Sequence, residues 1–359
     1  MAVAAPSIGK QSGFQLSAKG QENAAGFLFI LPALIIIVTF IFFPLLSAFL
    51  ISFTNWNGLQ PPAEAQNVGL RNYERIFGLD GTTVVRDEFF VAIKNTFYYT
   101  LGVVPTQTVL ALILAFIVNQ QFLRFRGFFR VAFYFPSITS SIVIATIFLW
   151  LFNRNGVING VIGGVASALG LEYSPVTWIN DANGIIHNFL RLFGLTLRTA
   201  PAWMTETNIL GQTVWQWISG PSVTMLAIML LAIWTTTGTM MLIFLAALQD
   251  IPRQLYEAAS VDGATRLQQF FLITVPMLRP TTFFVLTIGL IGCFQVFDQI
   301  YVISQGNPAG TTKTIAWIVF RNLRDSQAGL GAALAFVLFV IIAVFTIFQR
   351  RLVGRTVQQ

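Results

Sequence analysis

The chain has 359 residues, of which 55% are hydrophobic and only 10% are charged, and its mean hydropathy is +0.72. Because a soluble globular domain is about 25% charged, and the apolar residues here form long runs, this composition excludes an ordinary soluble domain and indicates an integral membrane protein. Cys293 is the single cysteine and permits no internal disulfide, while His187, the single histidine, has no partner Cys or His motif. These counts argue against a His/Cys metal site.

Six apolar runs are long enough to cross a bilayer, which takes about 20 residues. They lie near 27–51, 95–119, 131–152, 222–248, 281–303 and 330–349. The first run is too long for the core of a signal peptide, and no small-residue cleavage motif precedes it. The sequence therefore predicts an all-α integral membrane domain over 27–350 with six transmembrane helices. A mobile tail at 1–26 and a short tail at 351–359 flank this domain.

Basic residues near the ends of the runs predict the orientation. The short stretches "FLRFRGFFR" (122–130) and "FQRRLVGR" (348–355) are strongly basic, and short basic loops stay in the cytoplasm. Both termini and the 249–280 segment are therefore expected in the cytoplasm, and the 153–221 loop outside. The net charge of +7 then reflects membrane topology and not nucleic-acid binding.

Two segments outside the runs have helical patterns. In "NVGLRNYERIF" (67–77), Leu70, Tyr73 and Phe77 share one helical face. In the 153–221 loop, 155–179 is echoed by 183–204, since each copy begins Asn-Gly, passes Gly-Leu and ends near a tryptophan; the alternative is chance similarity. We expect two short amphipathic helices here, with four tryptophans near the lipid interface. These are Trp178, Trp203, Trp215 and Trp217.

The segment 248–280, "LQDIPRQLYEAASVDGATRLQQFFLITVPMLRP", is polar although apolar runs flank it. Pro252 is expected in the first turn of a helix. Gly263 is expected to end that helix, since glycine readily adopts positive φ. A second short helix follows and is expected to end at Pro276 and Pro280. The element is either an amphipathic surface anchor or a docking site for another protein, which the small residues Ala258 and Ala259 would let approach closely.

Part of this segment, "EAASVDGATRLQQFFLITVP", closely resembles the EAA loop of the permease subunits of binding-protein-dependent ABC importers. The matching positions are Glu257, Ala258, Ala259, Gly263, Ile273 and Pro276. Roughly 27–350 resembles the sugar-permease branch, including the F-type subunit of the maltose importer and its oligosaccharide and glycerol-phosphate relatives. The chain departs from the family where "SQGNP" replaces Thr-x-Gly-Gly-Pro and where the 153–221 loop is longer.

The resemblance implies the type I ABC importer permease fold in a bacterial or archaeal cell (inner) membrane, with the EAA loop as a cytoplasmic coupling helix. The coupling residues would be Glu257, Ala258, Ala259, Asp262, Gly263 and Arg266. The implied partners, besides the bilayer, are a second permease subunit, two ATPase subunits and an extracytoplasmic solute-binding protein. ATP and Mg²⁺ belong to the ATPases, because this chain lacks a Gly-x-x-x-x-Gly-Lys-Ser/Thr loop. The chain itself is expected to hold no cofactor or metal and to catalyse no reaction.

The solute is expected to be a carbohydrate, an oligosaccharide or a related glycoside; the alternative within the class is glycerol phosphate. Asp298 is a candidate for the solute path, because an intramembrane carboxylate indicates a functional site. Gln295 precedes it by one helical turn, and Phe294 and Phe297 could offer ring faces to a sugar. The alternative for Asp298 is a structural carboxylate at the membrane edge. A second candidate site lies in the fourth span and consists of Trp234, Thr235, Thr236 and Thr237.

Three other classes of protein fit the sequence less well. A membrane enzyme would need a catalytic cluster, and the sequence contains no Ser/His/Asp or metal constellation. A secondary transporter would more often have two related halves, whereas the repeat here lies in one loop. A channel is compatible with the composition but gives no reason for the EAA loop.

Overall fold

The computed structural model describes residues 18–120 and 124–353. Within these ranges the helices, in chain order, are α1 Ala18–Ile37, α2 Phe43–Ile51, α3 Arg71–Phe77, α4 Val84–Asn119, α5 Arg126–Ile138, α6 Ser141–Leu151, α7 Val157–Ala168, α8 Ile185–Leu192, α9 Ala202–Thr205, α10 Val214–Trp217, α11 Val223–Gln249, α12 Arg253–Val261, α13 Arg266–Gln269, α14 Val275–Met277, α15 Arg279–Phe294, α16 Asp298–Ile303, α17 Ile315–Arg324 and α18 Ala328–Val353. A small hairpin joins β1 Asn208–Ile209 to β2 Gln212–Thr213, a 3₁₀ turn covers Pro62–Glu64, and π-helical turns cover Val38–Phe42 and Phe270–Thr274.

The chain divides into two compact units, Met1–Leu50 and Ile51–Gln359. The described part of the first unit is helical from Ala18, and its large apolar side chains are exposed, as in a helix that faces lipid. The π-helical turn lies just before Pro44, and the Phe43 N–H donates to the Val38 carbonyl. Such a turn accommodates a proline, which has no N–H of its own to donate.

The predicted tails fall partly outside the described residues. Residues 1–17 and 354–359 lie outside them, so the expected mobility of those segments stays a prediction. Residues 18–26 belong to α1, and residues 351–353 to α18. Good helix formers such as alanine, glutamate and glutamine explain why α1 begins before the apolar run.

Five helical segments in the described part of the chain are long and apolar enough to cross a membrane, and the bent α5–α6 pair makes a sixth. The predicted all-α membrane fold with six spans is therefore confirmed. Two spans are not single straight helices. The third bends by 97° between Ile138 and Ser141, and the fifth is interrupted between Phe294 and Asp298. The second begins at Val84, well before the apolar run near 95.

Helices α4 and α11 lie side by side and run in the same direction. At Gly102 the Met229 methyl carbon fills the space beside the backbone, 1.9 Å from where a Cβ would lie. Around this α4–α11 pair, side chains from α15, α17 and α18 form the main core, in which Val103, Ile228 and Leu334 are almost fully buried. Because lipid tails are as apolar as these side chains, the spans are held together by close packing and interhelical hydrogen bonds more than by removal of apolar surface from water.

Polar contacts fix the first turns of α4 to segments far along the chain. The Glu88 carboxylate accepts hydrogen bonds from Nη1 and Nη2 of Arg321, and from Lys313 Nζ at 2.6 Å. The hydrogen bond and the charge of Glu88 raise the pKa of the Arg321 side chain above its usual value. The amide of Asn95 donates to the carbonyls of Gly310 and Lys313 at 3.0 Å. These contacts therefore fix this end of α4 to the segment of chain between α16 and α18.

Residues 153–221 form a separate layer at the end of the membrane domain where α4 and α11 begin; we call this end the 153–221 face. The opposite end, with residues 249–280, is the EAA face. In the layer, the Asn159 side chain bonds to the backbone of Arg154 and Val176 at 2.8 Å and also to Tyr173 and Trp178. The two helices expected in the repeat are α7 and α8, although the duplication itself stays a prediction.

The tryptophans of the layer do not share one environment. Trp203 is 61% exposed, whereas Trp215 is 6% exposed. The Trp215 ring stacks on His187 at 4.2 Å, and its carbonyl lies 2.9 Å from His187 Nε2. Burial lowers the pKa of His187 below its usual value. The Trp215 ring therefore fills the core of the layer, and the expected position of the four tryptophans near the lipid interface stays a prediction.

Candidate functional site

A cavity of about 340 Å³ lies beside the α4–α11 pair, where the fifth span is interrupted. Its polar lining comes from three parts of the chain, namely α4, α11 and the break between α15 and α16. The polar side chains are Gln107, Thr236, Gln295, Asp298 and Gln299. No Lys, Arg or His side chain is among the described residues that line it.

The break in the fifth span shapes one wall of this cavity. Helix α15 ends at Phe294, and α16 begins at Asp298. The carbonyl of Val296, within the break, accepts a 3.0 Å bond from Thr314 Oγ1, so a buried hydroxyl satisfies the interrupted backbone. The expected i, i+3 relation between Gln295 and Asp298 on one continuous helix was wrong. Both side chains nevertheless line the cavity, because the break turns both toward it.

Asp298 connects the two interrupted spans. Its Oδ2 accepts a 2.8 Å hydrogen bond from the hydroxyl of Ser141. Ser141 is the first residue of α6, which follows the bend of the third span, and Asp298 is the first residue of α16. Asp298 is exposed, so the carboxylate retains acceptor capacity for another group.

Gln107 is a buried amide in the wall that the sequence analysis missed. It is 1% exposed, and its Oε1 accepts a 2.5 Å bond from Thr236 Oγ1. Because Gly289 has no side chain, the Gln107 amide fits against it: Nε2 lies 2.5 Å from the position that a Cβ of residue 289 would take. The available signal was one glutamine in the otherwise apolar run of the second span. A buried amide usually means a satisfied hydrogen-bond network, and here that network faces a cavity.

Of the other residues expected on the solute path, Phe297 and Thr236 line this cavity and Phe294 does not. Phe294 is 1% exposed and packs against Phe97 and Phe345. Trp234 is 50% exposed and packs against Phe148 beside a separate, entirely apolar cavity.

Thr235 lines a neighbouring cavity of about 280 Å³, which shares Thr236, Met240 and Gln299 with the first. Its hydroxyl bonds to carbonyls one turn back in α11, and its own carbonyl accepts from Ser137 Oγ at 2.5 Å. The second cavity therefore extends the polar lining toward the bend of the third span. The described residues contain no group of His, Cys, Asp or Glu that could hold a metal ion.

The EAA loop forms a helix–turn–helix at the opposite face. Pro252 directly precedes α12, and Asp262 is the residue after its last turn. Gly263 follows with φ of +78°, a conformation that costs other L-residues about 1–2 kcal/mol. The Gly263 N–H donates to Ser260 O at 3.2 Å. Thr265 then starts α13 with a reciprocal capping box to Gln268.

The expected coupling residues lie together on this surface. Glu257, Ala258, Asp262, Gly263 and Arg266 are exposed, and Ala259 is half-buried. Val261 and Leu267, which the sequence analysis did not single out, are 89% and 68% exposed. The loop thus presents small and apolar side chains with charges beside them.

The opposite side of α12 is fixed to the membrane domain. Tyr256 Oη lies 2.8 Å from the buried hydroxyl of Thr274, and Gln269 Nε2 donates to Ser260 Oγ at 2.8 Å. The expectation that Pro276 and Pro280 end the second helix was wrong. A π-helical turn follows α13, α14 contains Pro276, and α15 has Pro280 in its first turn. The loop is therefore joined to the fifth span by nearly continuous helix.

Comparison with known proteins gives the family. Residues 107–358 match the model for the binding-protein-dependent transport system inner membrane component. The chain is 30% identical over 353 residues to the arabinooligosaccharides transport system permease protein AraP of Bacillus subtilis, covering 97% of this chain and 94% of the relative. It is also 30% identical to the trehalose/maltose transport system permease protein MalF of Thermococcus litoralis, covering 94% of this chain and 96% of that protein.

The fold has a solved counterpart. A chain of a bacterial alginate ABC transporter, solved in complex with an alginate pentasaccharide-bound periplasmic protein, superposes with a TM-score of 0.63 at 20% identity. The likeness covers 93% of this chain and 96% of that one. The broken spans, the exposed EAA loop and these matches lead to one conclusion: the chain belongs to the family of binding-protein-dependent transport system inner membrane components, the multi-pass permease subunits of ABC importers.

Proposed function

We propose that this permease moves an oligosaccharide or related glycoside through the polar cavity beside the α4–α11 pair. The observation that carries the proposal is the lining of amides, hydroxyls and one carboxylate next to the ring of Phe297. A sugar has hydroxyl groups at its edges, which can bond to the polar side chains, and C–H groups on its faces, which can pack on the aromatic ring. The names of AraP and MalF, which refer to arabinooligosaccharides and trehalose/maltose, support this solute class.

Glycerol phosphate fits the cavity less well. A phosphate is usually bound by arginine, lysine or backbone N–H groups at a helix start. The described lining residues of both polar cavities include no basic side chain, and Asp298 would repel an anion. A neutral glycoside is therefore the solute that this charge distribution favours.

Replacing Asp298 by asparagine is expected to weaken the apparent affinity for the solute. Asparagine keeps the size and an acceptor oxygen for Ser141 but removes the charge that strengthens a bond to a sugar hydroxyl. Loss of a charge-assisted hydrogen bond costs about 1–2 kcal/mol, which lowers affinity roughly five- to thirty-fold. The measurement is uptake against solute concentration, normalised to assembled complex.

Ser141→Ala is the matched control, because it removes only the hydroxyl that donates to Asp298. If the carboxylate contacts the solute, this variant keeps most of its affinity while Asp298→Asn loses it. Equal losses in both variants would mean that Asp298 acts through Ser141 as a structural carboxylate. Unchanged affinity in Asp298→Asn would refute the solute contact.

The EAA loop is proposed as the docking surface for an ATPase subunit, with the EAA face in the cytoplasm. A second permease subunit, a second ATPase and an extracytoplasmic solute-binding protein complete the proposed importer. ATP and Mg²⁺ would be bound by the ATPases. The exposed Val261 and Leu267 support docking, and the basic residues at the EAA face, including Arg350 and Arg351, support the orientation.

Thiol labelling tests the orientation in a Cys293→Ala background. Ser260→Cys on α12 is expected to resist a membrane-impermeant maleimide added to intact cells, and Ser167→Cys on α7 is expected to react. Both positions are exposed, so the difference reports the side of the membrane and not burial. After the cells are permeabilised, Ser260→Cys should react as well. The opposite labelling pattern would reverse the proposed topology.

A further inference from the structure

Residues 186–203 of the 153–221 layer carry a row of exposed large apolar side chains. They are Phe189 at 57%, Leu192 at 80%, Phe193 at 73%, Leu197 at 63% and Trp203 at 61% exposed. Soluble surfaces seldom keep so many large apolar groups together unless something covers them. The rest of the described chain does not cover them.

The exposure is confined to one side of α8. On the side toward the protein, His187 stacks on the buried Trp215, so α8 has a fixed docking position in the layer. Phe189 and Phe193, four residues apart, lie on the side away from the layer and stack edge to face at 5.2 Å. Phe189 and Phe193 therefore form an ordered apolar surface at the end of a helix whose position is fixed, and Leu197 and Trp203 follow in the chain after α8.

Backbone hydrogen bonds set the depth of α8 relative to the membrane. The N–H groups of Ile185 and Ile186 donate to the carbonyls of Pro221 and Ser219 at 2.9 and 3.1 Å. The Val223 N–H donates to Asn183 O at 3.0 Å. The first turn of α8 is thus beside the first residue of the fourth span.

The length of that span places its first residue at the membrane surface. Helix α11 has 27 residues. At a rise of about 1.5 Å per residue it is about 40 Å long, which is close to the thickness of a bilayer with its headgroups, about 40–45 Å. Its first residue therefore lies at headgroup level, and α8 lies at the same level.

The charge of the segment matches the surface of a lipid leaflet. Residues 182–205 contain Arg191 and Arg198 and no acidic residue, and both arginines are exposed. Arginine among aromatic and aliphatic side chains is the composition of helices that lie in the plane of a membrane interface. Arginine also pairs readily with phosphate oxygens.

We propose that residues 186–203 lie in the leaflet at the 153–221 face, with the apolar row in the upper acyl region and Arg191 and Arg198 on phospholipid phosphates. Such helices bury their apolar face about 5–10 Å below the headgroup boundary. The occupant of this surface is lipid and not a solute-binding protein. This inference depends on the membrane fold and not on the transported solute.

Spin labels measure the depth in the full complex, reconstituted in nanodiscs that contain phosphatidylglycerol. Labels at Phe193→Cys and Leu197→Cys, in a Cys293→Ala background, are expected to be more accessible to molecular oxygen than to a water-soluble nickel chelate. The control is Thr83→Cys, just before α4. Lys94 of α4 bonds to Gln216 and so marks the level at which α4 meets the layer. Thr83 precedes Lys94 along the helix, lies about 17 Å farther than Lys94 from the membrane centre, and should show the reverse preference.

Preferential access of the nickel chelate at both 193 and 197 would overturn the proposal. If these labels were instead shielded only when a solute-binding protein is added, the surface would be a protein interface, which also overturns the proposal.

A second experiment tests the phosphate contacts of the two arginines by thermal unfolding. Phosphatidylglycerol is expected to raise the melting temperature less in the Arg191→Gln/Arg198→Gln variant than in the wild type or in Arg324→Gln, a variant of an exposed arginine of α17 near Arg321, which bonds to Glu88 in the first turns of α4. An equal rise in all three would refute the phosphate contacts.

Discussion

Replacing Gly263 by proline is expected to abolish transport while the permease still inserts and folds. Gly263 has φ of +78°, whereas the proline ring holds φ near −65°. Proline would also remove the N–H that donates to Ser260 O. The turn between α12 and α13 must then change, and the face that carries Glu257 and Val261 is displaced from the position an ATPase would need.

The effect of Gly263→Pro is measured as uptake and as ATP hydrolysis by the reconstituted complex, together with recovery of the ATPase on an affinity tag. Gly263→Asn is the matched control, because asparagine tolerates positive φ better than other L-residues and keeps the N–H. A Cβ at this position meets nothing within 4 Å, so space is not limiting. The asparagine variant should keep most of its uptake. Normal uptake by the proline variant would refute the coupling role of the turn.

Glu257→Arg tests the same surface by charge. Glu257 is exposed on α12, and the described structure gives it no ion-pair partner within the chain. Reversing its charge should therefore leave the fold intact but repel or misalign a docked ATPase. The expected result is loss of the ATPase from the purified complex, or hydrolysis without transport.

Replacing Gly238 by leucine is expected to separate α5 from α11 and to prevent stable assembly. A Cβ at Gly238 would lie 2.1 Å from the carbonyl oxygen of Phe133 and 2.8 Å from Ser137 Oγ. The backbone of α5 cannot retreat without losing the bonds of Ser137 to Thr235 and Thr239. Overpacking of this kind costs about 1–3 kcal/mol and occasionally more.

The bend of the third span would move with α5, so the contact between Ser141 and Asp298 should also be lost. Thermal unfolding in detergent and the yield of assembled complex measure the effect. Gly127→Leu is the control on the same helix, since a Cβ there meets nothing within 4 Å. If Gly238→Leu were as stable as Gly127→Leu, the close approach of α5 and α11 would not be required for folding.

The membrane fold could be predicted because lipid imposes a strong constraint on sequence: a span needs about 20 apolar residues and internal backbone bonding. Hydropathy does not report where the backbone stops being helical, however. The interruption at 295–297 depends on a bond from Thr314 to Val296 O, and those residues are distant in sequence. The early start of α4 likewise depends on Glu88 meeting Lys313 and Arg321. Contacts of this kind are absent from a hydropathy profile.

Only part of the candidate site could be predicted from the sequence. Gln295 and Asp298 were found because polar groups in a span are rare and stand out. Gln107 is just as unusual, but its importance appears only when Thr236 and Gly289 are seen beside it. Phe294 was placed at the cavity from its position next to Gln295, and the break turns its ring into the core instead. The expected coupling residues came from the resemblance to a family motif, and Val261 lay outside its matched positions.

The α4–α11 pair links the two faces of the membrane domain. At the 153–221 face, Lys94 and Tyr98 bond to the carbonyls of Gln216 and Trp217. At the EAA face, Val118 and Leu248 form one buried cluster with Ile251, at the base of the loop. If binding at one end of such a shared element changes affinity at the other end, thermodynamic linkage requires the same factor in the reverse direction. A ligand at the 153–221 layer that tightens ATPase attachment tenfold must itself be held ten times more tightly, by about 1.4 kcal/mol, when the ATPase is attached.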